Sequence, residues 1–250
     1  METIVPKTSA ALSSLLRADF TTQWRNRRST VLILLVPVII LISWKGLIEK
    51  IGATFVISTC ITLGLIAVGL MGYSNAIARD RDKGVFQRLR VTPVPTWSIM
   101  VSRLMVQLAM ILLVTAIVFI AGFYFDKITL APAGYALTFV TAIIGGALYL
   151  GIGQLIVGLV KNAETVNSTS RLVYFVFIMV GMFGELGVLG DKFKDAVHWS
   201  PYGTVKTILS ASMQPASWNN AASESLLLTI IYAIIFSYIG VKKFKWSSVP

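Results

Sequence analysis

Long runs of apolar residues alternate with short charged stretches along the whole chain of 250 residues. A run of about 18 or more apolar residues is long enough to cross the hydrocarbon core of a bilayer as a helix. Such a run must be helical, because backbone polar groups in lipid have to bond within their own segment. The pattern predicts an all-α, polytopic membrane protein with one domain over residues 1–250 and six spans. The predicted spans are residues 31–48, 51–77, 99–125, 135–160, 172–189 and 226–241.

An amphipathic segment precedes the first predicted span. Over residues 10–28, apolar side chains recur at every fourth position, which is the spacing of one face of an α-helix. This pattern predicts a helix in the cytoplasmic membrane interface, with its arginines near anionic lipid head groups. An ordinary juxtamembrane linker, or a helix docked on a partner protein, is compatible with the same pattern. The apolar face comprises Leu12, Leu16, Phe20 and Trp24.

The connection before the last predicted span, residues 190–224, contains the aromatic residues Trp199, Tyr202 and Trp218. Within it, residues 203–213 are moderately apolar but too short to cross a bilayer. We predict a short helix or re-entrant segment at the outer interface, held there by the aromatic side chains. A disordered loop is disfavoured, because disordered segments are poor in aromatic residues.

Composition and charge agree with this architecture. The chain is 56% hydrophobic and 13% charged, whereas soluble domains are about 25% charged. The formal net charge is +11, and most of the 22 lysines and arginines fall on the side of the predicted membrane that carries both chain ends. The positive-inside rule assigns that side to the cytoplasm. Because the basic residues lie between spans, nucleic acid is not an expected partner.

The sequence lacks the residue patterns of common catalytic and metal sites. It contains neither the phosphate-binding pattern Gly-x-x-x-x-Gly-Lys-Ser/Thr nor the Gly-x-Ser-x-Gly elbow of serine hydrolases. The only histidine is His198 and the only cysteine is Cys60, so a His/Cys cluster for a metal is not available. We therefore expect no enzymatic activity, no metal and no cofactor in this chain.

One acidic residue, Glu185, falls within a predicted span, where an acid is a functional candidate. It lies near the outer end, and three interpretations stay open: a solvated vestibule residue, a gating or substrate-contact group, or a proton site. The same span is rich in phenylalanine and methionine, which either pack the helix or form an adaptable wall for a substrate. The substrate-path candidates are Phe175, Phe177, Met179, Met182, Phe183 and Glu185.

The most distinctive stretch is the charged segment 79–95 between the second and third predicted spans. Opposite charges alternate from Arg79 to Lys83, so Arg79 and Asp82 are spaced to pair on a helix. Gly84 interrupts, Phe86 and Leu89 share one face, and two prolines then stop the helix. We predict a short cytoplasmic helix over 79–90 whose apolar stripe needs a protein surface. The alternative is a plain cytoplasmic loop.

This segment resembles the loop between spans two and three in permease subunits of ABC type 2 exporters. That loop reads approximately Glu-Arg-Glu-x-Gly-Thr-Leu-Glu-Arg-Leu, followed by Thr-Pro-Val. Here it reads Asp80-Arg81-Asp82-Lys83-Gly84-Val85-Phe86-Gln87-Arg88-Leu89, followed by Thr92-Pro93-Val94. Both first acids are shortened to aspartate, and glutamine replaces the third acid. The six spans and a Ser200-Pro201-Tyr202-Gly203 turn before the last one add to the resemblance.

The resemblance implies a mechanism and a set of partners. Segment 79–90 would be the coupling helix that contacts an ATP-binding cassette subunit on the cytoplasmic side. Two such ATPase subunits would bind ATP and magnesium and drive this permease, paired with a second copy or a homologue. The other expected partners are membrane lipid and a small-molecule substrate. The coupling residues would be Arg79, Asp80, Arg81, Asp82, Gly84, Phe86, Arg88, Leu89 and Pro93.

The expected activity is export of an amphipathic small molecule, such as a drug, an antibiotic or a lipid-like compound, across a bacterial plasma membrane. Export of a polysaccharide or teichoic acid is the alternative within the same family. Two other classes stay open, namely an integral membrane enzyme and a non-transporting scaffold or sensor partner of an ABC ATPase. An enzyme would need a catalytic cluster at one membrane face, which the sequence does not show.

Overall fold

The computed structural model describes residues 8–25, 27–90, 96–188 and 190–245. These residues form helices and short connections, and no strand occurs among them. In chain order the helices are α1 (Thr8–Arg25), α2 (Arg27–Ser43), α3 (Ala53–Asp82), α4 (Val85–Arg90), α5 (Thr96–Asp126), α6 (Pro132–Leu159), α7 (Ala163–Glu185), α8 (Asp191–Trp199), α9 (Pro201–Met213) and α10 (Asn220–Lys243).

Five of the described helices are long and apolar enough to cross a membrane, namely α3, α5, α6, α7 and α10. This confirms the prediction of an all-α, polytopic membrane protein. Helix α2 is shorter and ends at Ser43, whereas the first span was predicted to continue to residue 48. The chain instead turns through Lys45–Leu47 and a single helical turn, Ile48–Ile51. Two lysines, one glutamate and Gly46 in this stretch, with Gly52 directly after it, explain why the apolar helix stops early.

The fifth predicted span begins earlier in the structure than in the sequence-based prediction. Helix α7 starts at Ala163, nine residues before the predicted residue 172, because Asn162 caps it. The Asn162 side chain accepts hydrogen bonds from the backbone N–H groups of Glu164 and Thr165. Such a cap satisfies donors that the first helical turn leaves unpaired. Polar residues therefore extend this helix toward the cytoplasm beyond its apolar run.

Helix α3 lies at the centre of the bundle. In its most apolar stretch 89% of the residues are buried, compared with 17% in α7 and 17% in α10. Helix α3 crosses α6 so closely that a Cβ added to Gly69 would lie 2.5 Å from the backbone of Tyr149. A Cβ on Gly153 would likewise lie 2.4 Å from the Gly69 carbonyl oxygen. Small residues permit this backbone contact, which is a common way for membrane helices to associate.

The outer segment predicted as one short helix or a re-entrant segment consists of two helices, α8 and α9. Nearly all side chains of α9 are buried, and the helix packs against α3, α6 and α10 rather than lying on the surface. Ser200 begins α9 by accepting a hydrogen bond from the Gly203 N–H at 3.2 Å. Tyr202 is fully buried below Gly181 of α7. A helix is therefore present over the moderately apolar residues 203–213, and it is packed among the other helices.

Candidate functional site

The charged segment does not form one helix in the structure. Residues Arg79–Asp82 are the last turn of α3, and α4 begins only at Val85. Gly84 separates the two helices with a φ of +67°, a left-handed conformation that glycine adopts at little cost. The predicted helix over 79–90 is therefore divided, because Gly84 ends α3 rather than merely weakening a continuous helix. Pro93 lies outside the described residues.

Asp80 joins the end of α3 to helix α5. Its Oδ2 atom lies 2.7 Å from Nη1 of Arg103, and Nη2 of the same arginine lies 3.4 Å from Oδ1 of Asp19 in α1. Ser102 donates a hydrogen bond to Oδ2 of the same Asp19 at 2.5 Å. Helices α1, α3 and α5 are thus held together on one side of the bundle. The predicted Arg79–Asp82 pair is not among the ion pairs of the described residues, because the acids bond to other helices.

Arg81 joins the end of α3 to the end of α6. Only 2% of this arginine is exposed. Its Nη1 atom donates to the Val157 carbonyl at 2.8 Å, and Nη2 donates to the carbonyls of Val160, at 2.8 Å, and Lys161. The last carbonyls of a helix have no partner inside that helix and carry partial negative charge. The guanidinium therefore caps α6 in both hydrogen bonding and charge.

Asp82 completes this set of contacts at the start of α7. Its Oδ2 atom accepts a hydrogen bond from the backbone N–H of Ala163 at 3.2 Å. Successive side chains on an α-helix point about 100° apart, so three consecutive residues reach three different neighbours. We refer to Asp80, Arg81 and Asp82 with their partner groups as the cytoplasmic hub, after the side of the membrane on which the sequence predicts this segment. It connects α3 directly to α5, α6 and α7, and through Arg103 to α1.

Phe86 is fully buried within this chain, although its stripe was predicted to need the surface of another protein. Its ring packs edge-to-face on Phe244, with ring centroids 5.9 Å apart. Phe244 follows the last turn of α10 and also lies below the Arg81 guanidinium, at 5.9 Å. The aromatic partner thus comes from the far end of the same chain. Leu89 is partly buried against the same core, while Gln87 and Arg88 are exposed.

Sequence reasoning missed three residues of this site: Asp19, Arg103 and Phe244. Arg103 had a recognisable signal, because it is the single charge near the start of an apolar run and such charges are costly in lipid without a partner. Asp19 is the one acid on the amphipathic helix α1. Phe244 had no such signal, because an aromatic residue after a membrane span is ordinarily an interface anchor.

The substrate-path candidates are spread around α7 rather than gathered in one place. Phe175 is 56% exposed, whereas Phe177 packs against Tyr149 with ring centroids 5.9 Å apart. Met179, Met182 and Phe183 are partly buried. Glu185 lines an outer cavity of about 370 Å³ and forms an ion pair with Lys206 of α9.

Lys206 is a buried residue that the sequence placed in an outer loop. It is only 3% exposed, and its ammonium lies 3.1 Å from the centre of the Phe55 ring. A buried lysine is costly unless it is paired, and here both an acid and an aromatic face compensate it. The pair fastens the outer end of α7 to the buried helix α9. Within the described residues, no group of three or more His, Cys, Asp or Glu side chains is placed to hold a metal ion.

These features define a class of protein: a multi-pass helical membrane protein whose helix ends on one side are joined by a charged hub. The family model described as ABC-2 type transporter matches residues 10–213, and the chain therefore belongs to that family. It is also similar to the protein named "Putative transport permease YvfS" of Bacillus subtilis (strain 168). The two are 23% identical over 175 residues, which cover 68% of this chain and 69% of the relative.

Family membership makes this chain a transmembrane component of an ABC transporter, and not the subunit that hydrolyses ATP. Permeases of this family typically work with a separate ABC ATPase. Such an ATPase acts from the cytoplasmic side, where the hub lies if the side with most basic residues is cytoplasmic.

Proposed function

We propose that this chain is the permease of an ATP-driven exporter that moves an amphipathic small molecule, such as a drug, an antibiotic or a lipid-like compound, out of a bacterial cell. Two copies of an ABC ATPase would bind on its cytoplasmic face, beside a second permease that is either identical or homologous. Both chain ends would lie in the cytoplasm. The observation that carries this proposal is the cytoplasmic hub, which links the segment next to the ATPase to several spans at once.

The hub is suited to transmit a displacement because its contacts at Asp80 and Arg81 are short, charged and at least partly buried. Hydrogen bonds that involve a charged group are stronger than neutral ones, and a buried arginine fork fixes direction as well as distance. A push on α4 reaches α3 through Gly84 and reaches α10 through the contact of Phe86 with Phe244. From α3 it passes to α5, α6 and α7 through Asp80, Arg81 and Asp82. The spans would then tilt together rather than one at a time.

The exposed surface of α4, where we propose that the ATPase binds, is polar. Gln87 and Arg88 are exposed, whereas Phe86 points into the permease. We therefore assign ATPase contact to Gln87 and Arg88, and assign Asp80, Arg81, Asp82 and Phe86 to internal transmission. An exposed cation at an interface rim acts mainly on association and on specificity.

The substrate class is supported by an apolar groove of about 430 Å³ in the cytoplasmic half of the bundle, between α3, α5, α6 and α10. Its walls include Leu104, Leu150 and Val241, and polar groups enter it from Tyr73 and Gln154, whose side chains share a hydrogen bond of 2.7 Å. Apolar walls with a few polar groups are typical of sites for small amphipathic molecules. A polysaccharide would instead require a path lined by many hydrogen-bonding groups. The groove therefore favours the amphipathic substrate.

Arg88→Glu is expected to reduce capture of the partner ABC ATPase by about tenfold or more, because a charge is reversed at the proposed contact. The purified permease should keep its yield and its thermal stability, since Arg88 is exposed. Lys192→Glu, a charge reversal at an exposed position of α8 on the opposite face, serves as the matched control and should bind normally. Co-purification with a tagged ATPase, followed by ATP hydrolysis in liposomes, measures both effects. Normal capture by Arg88→Glu would remove α4 from the ATPase interface.

The proposed orientation predicts which cysteine variants react from outside the cell. Cys60 is fully buried, so it gives a low background for thiol labelling. A cysteine at the exposed residue Ser217 should react with a membrane-impermeant maleimide in intact cells. A cysteine at Gln87 should react only after the membrane is permeabilised. The reverse pattern would invert the topology and place the hub on the outer face.

A further inference from the structure

A second cytoplasmic feature, separate from the α4 surface, is a cavity of about 270 Å³ between α1, α3 and α5. The Asp80–Arg103 ion pair forms part of its wall. The wall carries four cations and two carboxylates, so positive charge is in excess. The cations are Arg25, Arg79, Lys83 and Arg103, and the carboxylates are Asp19 and Asp80.

The excess charge is concentrated on three of these cations. Both carboxylates of the wall contact Arg103. Arg25, Arg79 and Lys83 are exposed, and none of them forms an ion pair with a carboxylate among the described residues. Arg79 directs its Nε atom to the neutral Asn75 carbonyl at 3.2 Å rather than to a carboxylate. The rim of the cavity is therefore a positive site suited to an anion such as a phosphate.

Deeper in the same cavity lies an acceptor without a donor. Gln107 is only 4% exposed and lines the cavity, and its Oε1 atom is buried with no hydrogen-bond partner among the described residues. A buried carbonyl without a donor costs about 1–3 kcal/mol, so such groups in native proteins usually have a partner. A ligand that carries a hydroxyl group as well as a phosphate would satisfy Gln107 and the cations together.

The position of the cavity indicates that such a ligand would come from the membrane. Helix α1 forms one wall, and its Phe20 and Trp24 side chains are 45% and 69% exposed. Exposed tryptophan on a membrane protein marks the level of the lipid head groups. Trp24 is next to Arg25 in the chain, so the cavity rim lies at that level. Basic pockets between membrane helices on the cytoplasmic side are a recurring way to bind anionic lipid head groups.

We propose that this cavity binds the head group of an anionic phospholipid from the cytoplasmic leaflet, with its phosphate on Arg25, Arg79 and Lys83 and a head-group hydroxyl donating to Gln107. Phosphatidylglycerol has both groups. The bound lipid bridges α1 to the end of α3, which also carries the cytoplasmic hub. The proposal goes beyond the proposed transport activity and does not require it, because lipid binding can be measured on the permease alone.

The test measures lipid retention by native mass spectrometry of the purified permease. The chain is exchanged into mixtures of phosphatidylglycerol and phosphatidylcholine with identical acyl chains. The wild type is expected to retain phosphatidylglycerol selectively. Arg79→Gln and Lys83→Gln should each weaken this preference about fivefold, and the double variant about twenty-five-fold, as expected when single cations near an anionic lipid are removed. Arg17→Gln, which removes an exposed cation of α1 outside the cavity, is the matched control and should retain the preference.

Two further measurements test the role of Gln107 and distinguish a lipid from a soluble anion as the ligand. Gln107→Leu should lower the preference for phosphatidylglycerol over phosphatidic acid, which lacks the head-group hydroxyl, without abolishing binding of either lipid. Inorganic phosphate and glycerophosphoglycerol, the head group without chains, should compete only weakly. If either displaces the lipid at comparable concentration, the site is one for a soluble anion and the lipid proposal fails. It also fails if Arg17→Gln loses as much preference as Arg79→Gln, or if Arg79→Gln and Lys83→Gln lose ATPase capture while lipid retention is unchanged.

Discussion

Replacing Arg81 by alanine is expected to lower the thermal stability of the permease sharply and to abolish transport coupled to ATP hydrolysis. The guanidinium donates to the carbonyls of Val157, Val160 and Lys161, and the substitution leaves these groups without that donor. Hydrogen bonds to a charged group contribute roughly 1.5–3 kcal/mol each, so a total loss of at least about 3 kcal/mol is expected. The effect should appear as an earlier unfolding transition in detergent and as loss of substrate-stimulated ATPase activity in liposomes.

Two matched substitutions make the Arg81 result specific. Arg81→Lys keeps the charge but replaces a planar fork by a single ammonium, so it should restore only part of the stability. Arg171→Ala removes an exposed arginine from α7 and should leave the unfolding temperature within the error of the measurement. If Arg81→Ala unfolds like the wild type, the cap on α6 makes no contribution to stability. The hub would then act through Asp80 and Asp82 alone.

The substitution Phe86→Asp is expected to destabilise the folded permease and to reduce its amount in the membrane. Phe86 is fully buried against Phe244, and the change both removes a large apolar side chain and places a carboxylate in its position. Truncation of a buried phenylalanine alone costs about 3–5 kcal/mol, and burial of a charged group adds to this cost. Phe86→Leu, which keeps an apolar side chain, should retain most of the protein. Quantitative detection in membranes and thermal unfolding measure the difference.

A comparison with Arg88, which lies on the same short helix, distinguishes loss of the folded permease from loss of ATPase binding. The Phe86→Asp permease should fail to accumulate in the membrane. The Arg88→Asp permease should accumulate normally and fail only to capture the ATPase. If Phe86→Asp accumulates normally and fails only in ATPase capture, then Phe86 contacts the partner and its burial inside this chain is transient. That outcome would restore the interpretation of Phe86 and Leu89 as a stripe that packs on another protein.

The two faces of the permease differ in the charged contacts that hold their helices together. On the hub side, a network of charged contacts joins five helices, α1, α3, α5, α6 and α7. On the opposite side, the Glu185–Lys206 pair fastens α7 to α9. Only 17% of the residues in the apolar stretch of α7 are buried, and the same share is buried in α10. These two spans therefore present most of their apolar surface to the outside of this chain.

Much of the architecture was predictable from the amino-acid sequence. Apolar runs long enough to cross a bilayer indicated the membrane-spanning helices, because lipid leaves the backbone no other way to satisfy its hydrogen bonds. The amphipathic pattern before the first span predicted α1, and the charged segment with its Thr-Pro-Val ending indicated the family. These conclusions depend on local composition and spacing, which the sequence displays directly. Two of the boundaries that differed, at Ser43 and at Ala163, are ones where a turn or a cap outweighs hydropathy.

The contacts that give the charged segment its role were decided only by the tertiary structure. Arg81 bonds to carbonyls that are 76 to 80 residues away, and Phe86 finds its aromatic partner at Phe244. Which side of a helix meets which neighbour depends on its rotation and on how closely the backbones pack, as at Gly69 and Gly153. Hydropathy does not encode that rotation, because a membrane helix can be apolar on every side. The sequence thus showed where the charges lie along the chain, and packing determined that Asp80, Arg81 and Asp82 bind other helices of the permease.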